Sequence, residues 1–325
     1  MASPLRQISA LFGRARPRLS LVVILHDMPD QAQRTLFSLS PRYQRDVSRR
    51  DYEVIVVENA SERTLGREKV LQHGDNFSYF LREQPAPSPV FAINFGAAQA
   101  RGDMIGIMVD GARMLTPGAV KYILMAGRLS PFAVAAIPGY HLGRQLQQDA
   151  ALSGHDAQED LRLLAQIGWP EDGYRLFEIA CFSATSRPGF FRYPGESNCL
   201  SVPRSIWEEI GGCDERFDLP GGGLVNLDLY KRVAEHRRTV LVNLIGEGCC
   251  HQFHGGVTTS TRSEAREQLV ADQVAQYVAL RGRKYRNPRV RSISLGLVPD
   301  AALEFVRRSV ERAQQDLLEE EEGRS

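Results

Sequence analysis

In the first third of the chain, dense apolar runs alternate with stretches spaced like helices. The run Leu19–Leu25, LSLVVIL, is continuous, β-branched and of strand length, which predicts a strand covered on both faces. It stops at the polar turn His26-Asp27-Met28-Pro29-Asp30. Ala32, Leu36 and Leu39 then recur at helical spacing, and Pro29 and Asp30 suit a helix start. Residues 52–61, YEVIVVENAS, predict a second buried strand with a polar end, and residues 77–81 a third, weaker one. From Ala92, INFGAAQARGD offers small residues that let a helix pack closely on a sheet, with Gly102 placed to close it. MIGIMVDGA is a fourth strand ending at Asp110, and Thr116-Pro117-Gly118 opens a helix through Lys121 and Leu124. Strands alternating with helices imply parallel pairing and right-handed crossovers. Ligands of such open sheets bind beyond the carboxyl ends of the strands. His26, Glu58 and Asp110 fall on that edge.

The second half is less regular. Residues 132–138 predict a strand, and 149–167 one charged helix belonging to an insertion or a mobile flap. Gly, Pro and aromatic residues make 168–195 a loop-rich region. Residues 203–210 predict a short helix closed by Gly211-Gly212, 227–235 another helix, and 239–245 a strand. After Thr258 the pattern is of charged helices, broken near Asn287-Pro288 and ending in the acidic run 319–322, a solvated tail. The expected organisation is a tail over 1–18, one α/β domain over 19–256 with halves 19–120 and 121–256, and a helical extension over 257–325.

Composition narrows the classes. A chain of 325 residues buries a substantial core, and 43% hydrophobic with 24% charged residues is globular rather than disordered. A net charge of +1 argues against a general nucleic-acid binder, which would gather a basic excess. Five cysteines, Cys181, Cys199, Cys213, Cys249 and Cys250, form no framework or CxxC spacing and follow no secretory signal; plain burial in a reducing cytoplasm is expected. No apolar run approaches the roughly 20 residues of a membrane span. Arg6, Arg14, Arg16 and Arg18 around Ile8, Ala10, Leu11 and Phe12 would suit peripheral contact with an anionic membrane face, although a frayed, solvated terminus is the simpler reading. The oligomeric state is left open.

Four local patterns, in this order and at compatible spacing, resemble glycosyltransferase family two and its GT-A fold, over roughly residues 19–256: LVVILHDM with RTLFSL, YEVIVVENAS, NFGAAQARGDMIGIMVDGARMLTPGAV, and NCLSVPRSIWEEIGGCDERFDLPGG. The resemblance implies a Rossmann-like, mostly parallel sheet flanked by helices. It further implies a nucleotide-binding half over 19–120, an acceptor half over 121–256, and transfer of a sugar from a nucleotide donor, UDP-sugar being the first guess, to a hydroxyl of a saccharide or lipid-linked acceptor, with inversion. His26, Asp27, Glu58, Asn94, Asp110 and Arg113 are the implied donor contacts, with Glu58 on the base or ribose. Asp110 and His254, joined by His251, are the implied holders of a divalent cation, Mn²⁺ or Mg²⁺, which would offset the charge of the departing diphosphate. On spacing alone, His251 and His254 read more simply as loop histidines bonded to backbone.

Two departures from the family pattern stand out. The DxD turn appears as Asp110-Gly111-Ala112, lacking its second carboxylate, so that Arg113 offers a fixed positive charge to the diphosphate unless it is an ordinary surface residue. The acidic pair that supplies the general base is replaced by Val225-Asn226, and Asn is no base at neutral pH. Asp228 lies about 200° round a helix from Asn226 and replaces it only if the local backbone differs; its other reading is a helix-start acid. These losses leave a non-catalytic GT-A module, binding a nucleotide sugar or a partner enzyme, as the competing reading. LHDMPDQ lacks the glycines of a nucleotidyltransferase loop and of a dinucleotide fingerprint.

Overall fold

The computed structural model describes residues 16–84, 86–255 and 264–322. In β1 (Leu19–Leu25), Leu19, Leu21, Val23 and Leu25 enter one apolar cluster and Val22 and Ile24 another, so the run is buried on both faces as its sequence predicts. The polar exception, Ser20, is buried and donates to Glu53 at 2.7 Å while accepting from the Gly102 backbone N–H at 2.7 Å. In chain order the following elements are α1 (Pro29–Ser38), β2 (Tyr52–Asn59), α2 (Arg67–Leu71), β3 (Phe77–Arg82), α3 (Val90–Gln99), β4 (Met104–Met108), β5 (Arg113–Leu115) and α4 (Ala119–Leu129). After them come β6 (Ala133–Ala136), β7 (Gly139–Leu142), α5 (Gln147–Leu152), α6 (Ala157–Gln166), β8 (Ala180–Phe182), β9 (Cys199–Pro203), α7 (Arg204–Ile210) and α8 (Val225–Ala234). The chain continues with β10 (Val240–Leu244), β11 (Cys249–His251), α9 (Glu264–Arg281), β12 (Ser292–Leu295) and α10 (Leu303–Glu322).

The central sheet runs β12-β10-β6-β9-β4-β1-β2-β3, parallel throughout except for β9, which is antiparallel to both its neighbours. Helices cover both faces, α1 and α4 on one, α3, α7, α8 and α9 on the other. This is the expected mostly parallel α/β architecture with C-terminal helices. A second sheet, β5-β11-β7-β8, stands beyond the carboxyl edge of the first. It pairs β11 antiparallel to β5 and parallel to β7, and packs an aromatic cluster of Tyr140, Phe177, Phe182 and Phe305 beneath it.

Several local expectations are corrected. The single helix over 149–167 is two, because Gly154 takes a positive φ of 84° and Asp156 caps a new start, accepting from Gln158 N at 2.9 Å and Glu159 N at 3.0 Å. Gly102 does not close α3, which ends at Gln99. A Cβ on Gly102 would stand 2.7 Å from the Leu19 carbonyl carbon, so glycine there permits close approach to β1. The C-terminal segment is not helical throughout: β12 extends the central sheet beside β10. Of the basic N-terminal residues, Arg18 pairs with Asp51 at 2.9 Å and Arg16 with Asp103 at 3.2 Å; Arg6 and Arg14 lie outside the described residues. All five cysteines are free and buried, and burial pushes the Cys249 thiol up to about 12, which leaves it an unreactive apolar side chain.

Glu247, in the turn between β10 and β11, is fully buried at the start of α4. It accepts from Tyr174 Oη at 2.8 Å and from the Thr116 hydroxyl. Burial raises its pKa from the usual carboxylate value to about 7, against the lowering effect of those donors and of the Gly118 N–H. Between about pH 4.5 and 7 the folded protein therefore keeps a proton that the unfolded chain has released. Folding stability is highest below this window and falls as pH rises through it, by roughly 3 kcal/mol at about 1.4 kcal/mol per pH unit. Glu247→Gln should remove most of that slope in denaturant unfolding measured at pH 5 and pH 8; an unaltered slope assigns it to other groups.

Candidate functional site

Because β1, β2 and β4 are parallel, their carboxyl ends share one edge of the sheet, and Asp110 follows β4 there. The antiparallel strand β9 brings its amino-terminal end to the same edge, with Cys199 opposite Met108. Residues before β9 therefore face residues after β4. The second sheet closes over this edge, and its register sets Arg113, His251 and His141 side by side across β5, β11 and β7.

The Asp110 carboxylate is the hub. One oxygen accepts the Ala112 N–H at 3.0 Å, the other accepts Arg113 Nε at 2.8 Å, and His251 Nε2 stands 3.8 Å from that second oxygen. Burial alone would raise the Asp110 pKa, but Arg113, His251 and His254 together hold it well below the usual carboxylate range. Arg113 is accordingly no surface arginine; its side chain is 11% exposed and opposite Asp110. Ala112 is fully buried beneath the turn, its carbonyl accepting Gln252 N at 2.8 Å, so the missing second carboxylate corresponds to a position packed inside the protein.

His251 and His254 are brought together, their Nε2 atoms 3.2 Å apart, with Gly255 at a φ of 73° just beyond. Burial, then Arg113, depresses His251 well below the ordinary imidazole value, and burial lowers His254. Burial likewise takes His141 down to about 4; its Nδ1 accepts Gln147 N at 2.9 Å, which puts the proton of the neutral ring on Nε2. The loop bearing these rings is held from two sides. Gln31, Arg34 and Thr35 of α1 bind Gln252 and Phe253, with Gln31 donating to the Phe253 carbonyl at 2.8 Å and Arg34 to Gln252 Oε1 at 2.5 Å. From α6, buried Asp160 accepts Phe253 N at 2.5 Å and bonds His155 at 2.7 Å, which anchors the segment read from sequence as an insertion or flap.

One donor atom each from Asp110, His251 and His254 lies within 4.8 Å of the others. The set fits a divalent cation: one anionic oxygen and two imidazoles kept neutral by burial, which would turn their Nε2 lone pairs to the ion in place of the contact they make with each other. An oxygen and two nitrogens suit Mn²⁺ better than Mg²⁺. Each carboxylate oxygen has two lone pairs, so the bonds from Ala112 and Arg113 leave room on Asp110.

The remaining sequence candidates separate. His26 and Asp27 are exposed at the end of β1, Asp27 with a φ of 50° and its N–H on Ser61 Oγ at 3.2 Å. Glu58 is buried and accepts Leu65 N at 2.6 Å, Gly66 N at 3.0 Å and Tyr79 Oη at 2.7 Å; it shapes the loop after β2. Asn94 is not directed to the Asp110 cluster. Its amide clasps the backbone of Cys213 from both sides, at 2.9 and 3.0 Å, and so holds the turn after α7. Asp228 is buried and accepts Arg232 at 2.7 Å and Arg281 at 2.6 and 2.8 Å, so both of its oxygens already carry ion pairs. Asn226 stays with the site, donating to Asn198 Oδ1 at 3.0 Å and to the carboxylate of Glu196. Glu196 was not read from the sequence.

No family model and no curated protein matches the chain. Among solved structures it is similar to the mannosyltransferase PcManGT from Pyrobaculum calidifontis in complex with GDP-Man and Mn²⁺, at 14% identity and a TM-score of 0.48, over 91% of this chain and 70% of that one. It is also similar to S. aureus TarS 1-349 in complex with UDP-GlcNAc, at 13% identity and a TM-score of 0.48, over 81% and 73%. A third similar structure is GalNAc-T7 with UDP, GalNAc and Mn²⁺, at 14% identity and a TM-score of 0.48, over 80% of this chain and 48% of that one. Likenesses at such identities concern architecture, and the chemistry has to be argued from the site.

Proposed function

We propose that the chain is a glycosyltransferase that moves a sugar from a nucleotide donor to a hydroxyl, with the donor diphosphate seated at Asp110, Arg113, His251 and His254. The observation that carries this reading is their convergence: a carboxylate, a guanidinium and two neutral imidazoles meet at the carboxyl edge of an open α/β sheet, where such folds bind ligands. A departing diphosphate concentrates negative charge. Arg113, fixed by Asp110, offers permanent positive charge to it, and a Mn²⁺ or Mg²⁺ ion held by Asp110, His251 and His254 would add Lewis-acid stabilisation of the leaving oxygens. Exposed His26 and Asp27 at the end of β1 flank the donor side of this edge. A UDP-sugar is the first donor to try, a saccharide or lipid-linked hydroxyl the acceptor, and inversion the expected stereochemistry. Calorimetry with UDP-, GDP- and dTDP-sugars, with and without Mn²⁺, tests the reading: at least one donor should bind, more tightly with the cation. Absence of binding by the whole panel would sink it.

A second reading has its own observation. Asn226 stands where the family resemblance implies a base, and Asp228 is locked in ion pairs, which favours a module that binds a nucleotide sugar or partner enzyme without turnover. Donor binding with no nucleoside diphosphate released on prolonged incubation would decide for it. Among the described residues, no helix is long and apolar enough to cross a membrane.

A further inference from the structure

Glu196 lies in the loop just before β9, and the reversed direction of that strand delivers this loop to the edge that carries Asp110. Its side chain is partly exposed, so a ligand on that edge can reach it. One carboxylate oxygen accepts the Asn226 side-chain amide, and the same amide nitrogen donates to Asn198 Oδ1 at 3.0 Å. Asn198 is itself buried and begins the turn into β9. Asn226 sits in the first turn of α8, so helix and strand-entry loop together fix the direction of the carboxylate. Glu196 also feels the charges of Arg113 and Asp110, as expected of a side chain on the same edge of the sheet.

Resting on the glycosyl-transfer reading, we infer that Glu196 is the general base for the acceptor hydroxyl and that Asn226 is its positioning residue. In the step, the acceptor oxygen forms a bond to the anomeric carbon and its proton passes to a Glu196 carboxylate oxygen. The bond from the anomeric carbon to the β-phosphate oxygen breaks, its electron pair staying on the departing nucleoside diphosphate. The carboxylate has thus shifted from the α8 position, where Asn226 now stands, to the loop facing it, and the asparagine has become its hydrogen-bond donor. Burial raises the pKa of Glu196 while Arg113 and Asn226 pull it back, which leaves a carboxylate more basic than an exposed one.

The test uses the whole chain, with water as acceptor, and follows nucleoside diphosphate released from UDP-, GDP- and dTDP-sugars. Glu196→Gln should lower kcat about 100-fold or more, the scale of general-base catalysis, with donor affinity by calorimetry within a factor of about three of the parent. Asn226→Ala should lower kcat by about tenfold, again without weakening donor binding. In the Glu196→Gln background, Asn226→Asp should restore part of the loss, because it returns a carboxylate to the opposite side of the same contact. If the parent releases diphosphate and Glu196→Gln does so within threefold, Glu196 is not the base and the transferase reading stands. If Glu196→Gln loses donor affinity and turnover together and Asn226→Asp restores neither, the residue serves binding and the inference is overturned. A parent silent on every donor overturns the transfer reading and this inference with it.

Discussion

Asp110→Asn should lower nucleoside diphosphate release by about 100- to 1,000-fold, the scale seen when a preorganised electrostatic partner is removed from a transition state. Asparagine keeps the shape of the side chain and an oxygen to accept the Ala112 N–H, so the turn after β4 is retained. What disappears is the charge, and with it the only anionic ligand in the Asp110, His251 and His254 set. Two imidazoles alone hold a hard cation poorly, so the dependence of donor affinity on Mn²⁺ should vanish as well. The substitution also leaves Arg113 without its counter-charge at a largely buried position, and lower stability could pass for lost catalysis. Asp110→Asn combined with Arg113→Gln separates the two effects, because it removes both members of the pair. A double variant that regains the thermal midpoint but not turnover assigns the Asp110–Arg113 pair to the donor site; one that regains both makes the pair structural and removes both residues from that site. Unchanged turnover in Asp110→Asn alone would reject the site.

The first half of the fold was legible because its strands carry their own signal. A strand buried on both faces must be apolar at every position, and Leu19–Leu25 is nearly so, with Ser20 satisfied by Glu53. The residues at the ends of such strands then follow from direction alone, which is how Asp110 was found. The second sheet was not legible. Its strands are three or four residues long, too short for a period to show, and Arg113 and His251 read as turn residues until pairing sets them side by side. Glu196 was missed for a related reason. Alternating strands and helices imply a parallel sheet, in which ligands meet the ends of strands, whereas Glu196 precedes a strand that runs the other way. Glu58 at the strand end and Asn94 within α3 show what sequence leaves out: their polar atoms already bond backbone N–H and carbonyl groups. Sequence patterns report where a side chain falls, and only the hydrogen-bond inventory reports what it has left to offer.

Asp228→Ala should cost about 3–5 kcal/mol of folding stability, the range for removing one partner from a buried ion pair, while donor affinity and turnover of the folded fraction stay near those of the parent. Asp228 is 2% exposed and receives two guanidinium groups, Arg232 from its own helix and Arg281 from the end of α9. Arg232 continues to the carbonyls of Ile210 at 3.0 Å and Gly212 at 2.8 Å, and Arg281 also meets Asp214 at 2.9 Å. A single carboxylate thus joins α8, the Gly211-Gly212 turn after α7, and the end of α9, three elements that share the apolar cluster on one face of the sheet. Removing it leaves two cationic groups partly buried, of which only Arg281 keeps another carboxylate, so the loss should lie nearer 3 than 5 kcal/mol. Denaturant unfolding measures the first effect, and diphosphate release well below the unfolding midpoint measures the second. The opposite pattern, a stable Asp228→Ala protein without turnover, would return Asp228 to the role of base and remove that role from Glu196. The two carboxylates therefore make opposite forecasts in the same pair of assays: Asp228 governs whether the chain folds, and Glu196 whether a bound donor is turned over.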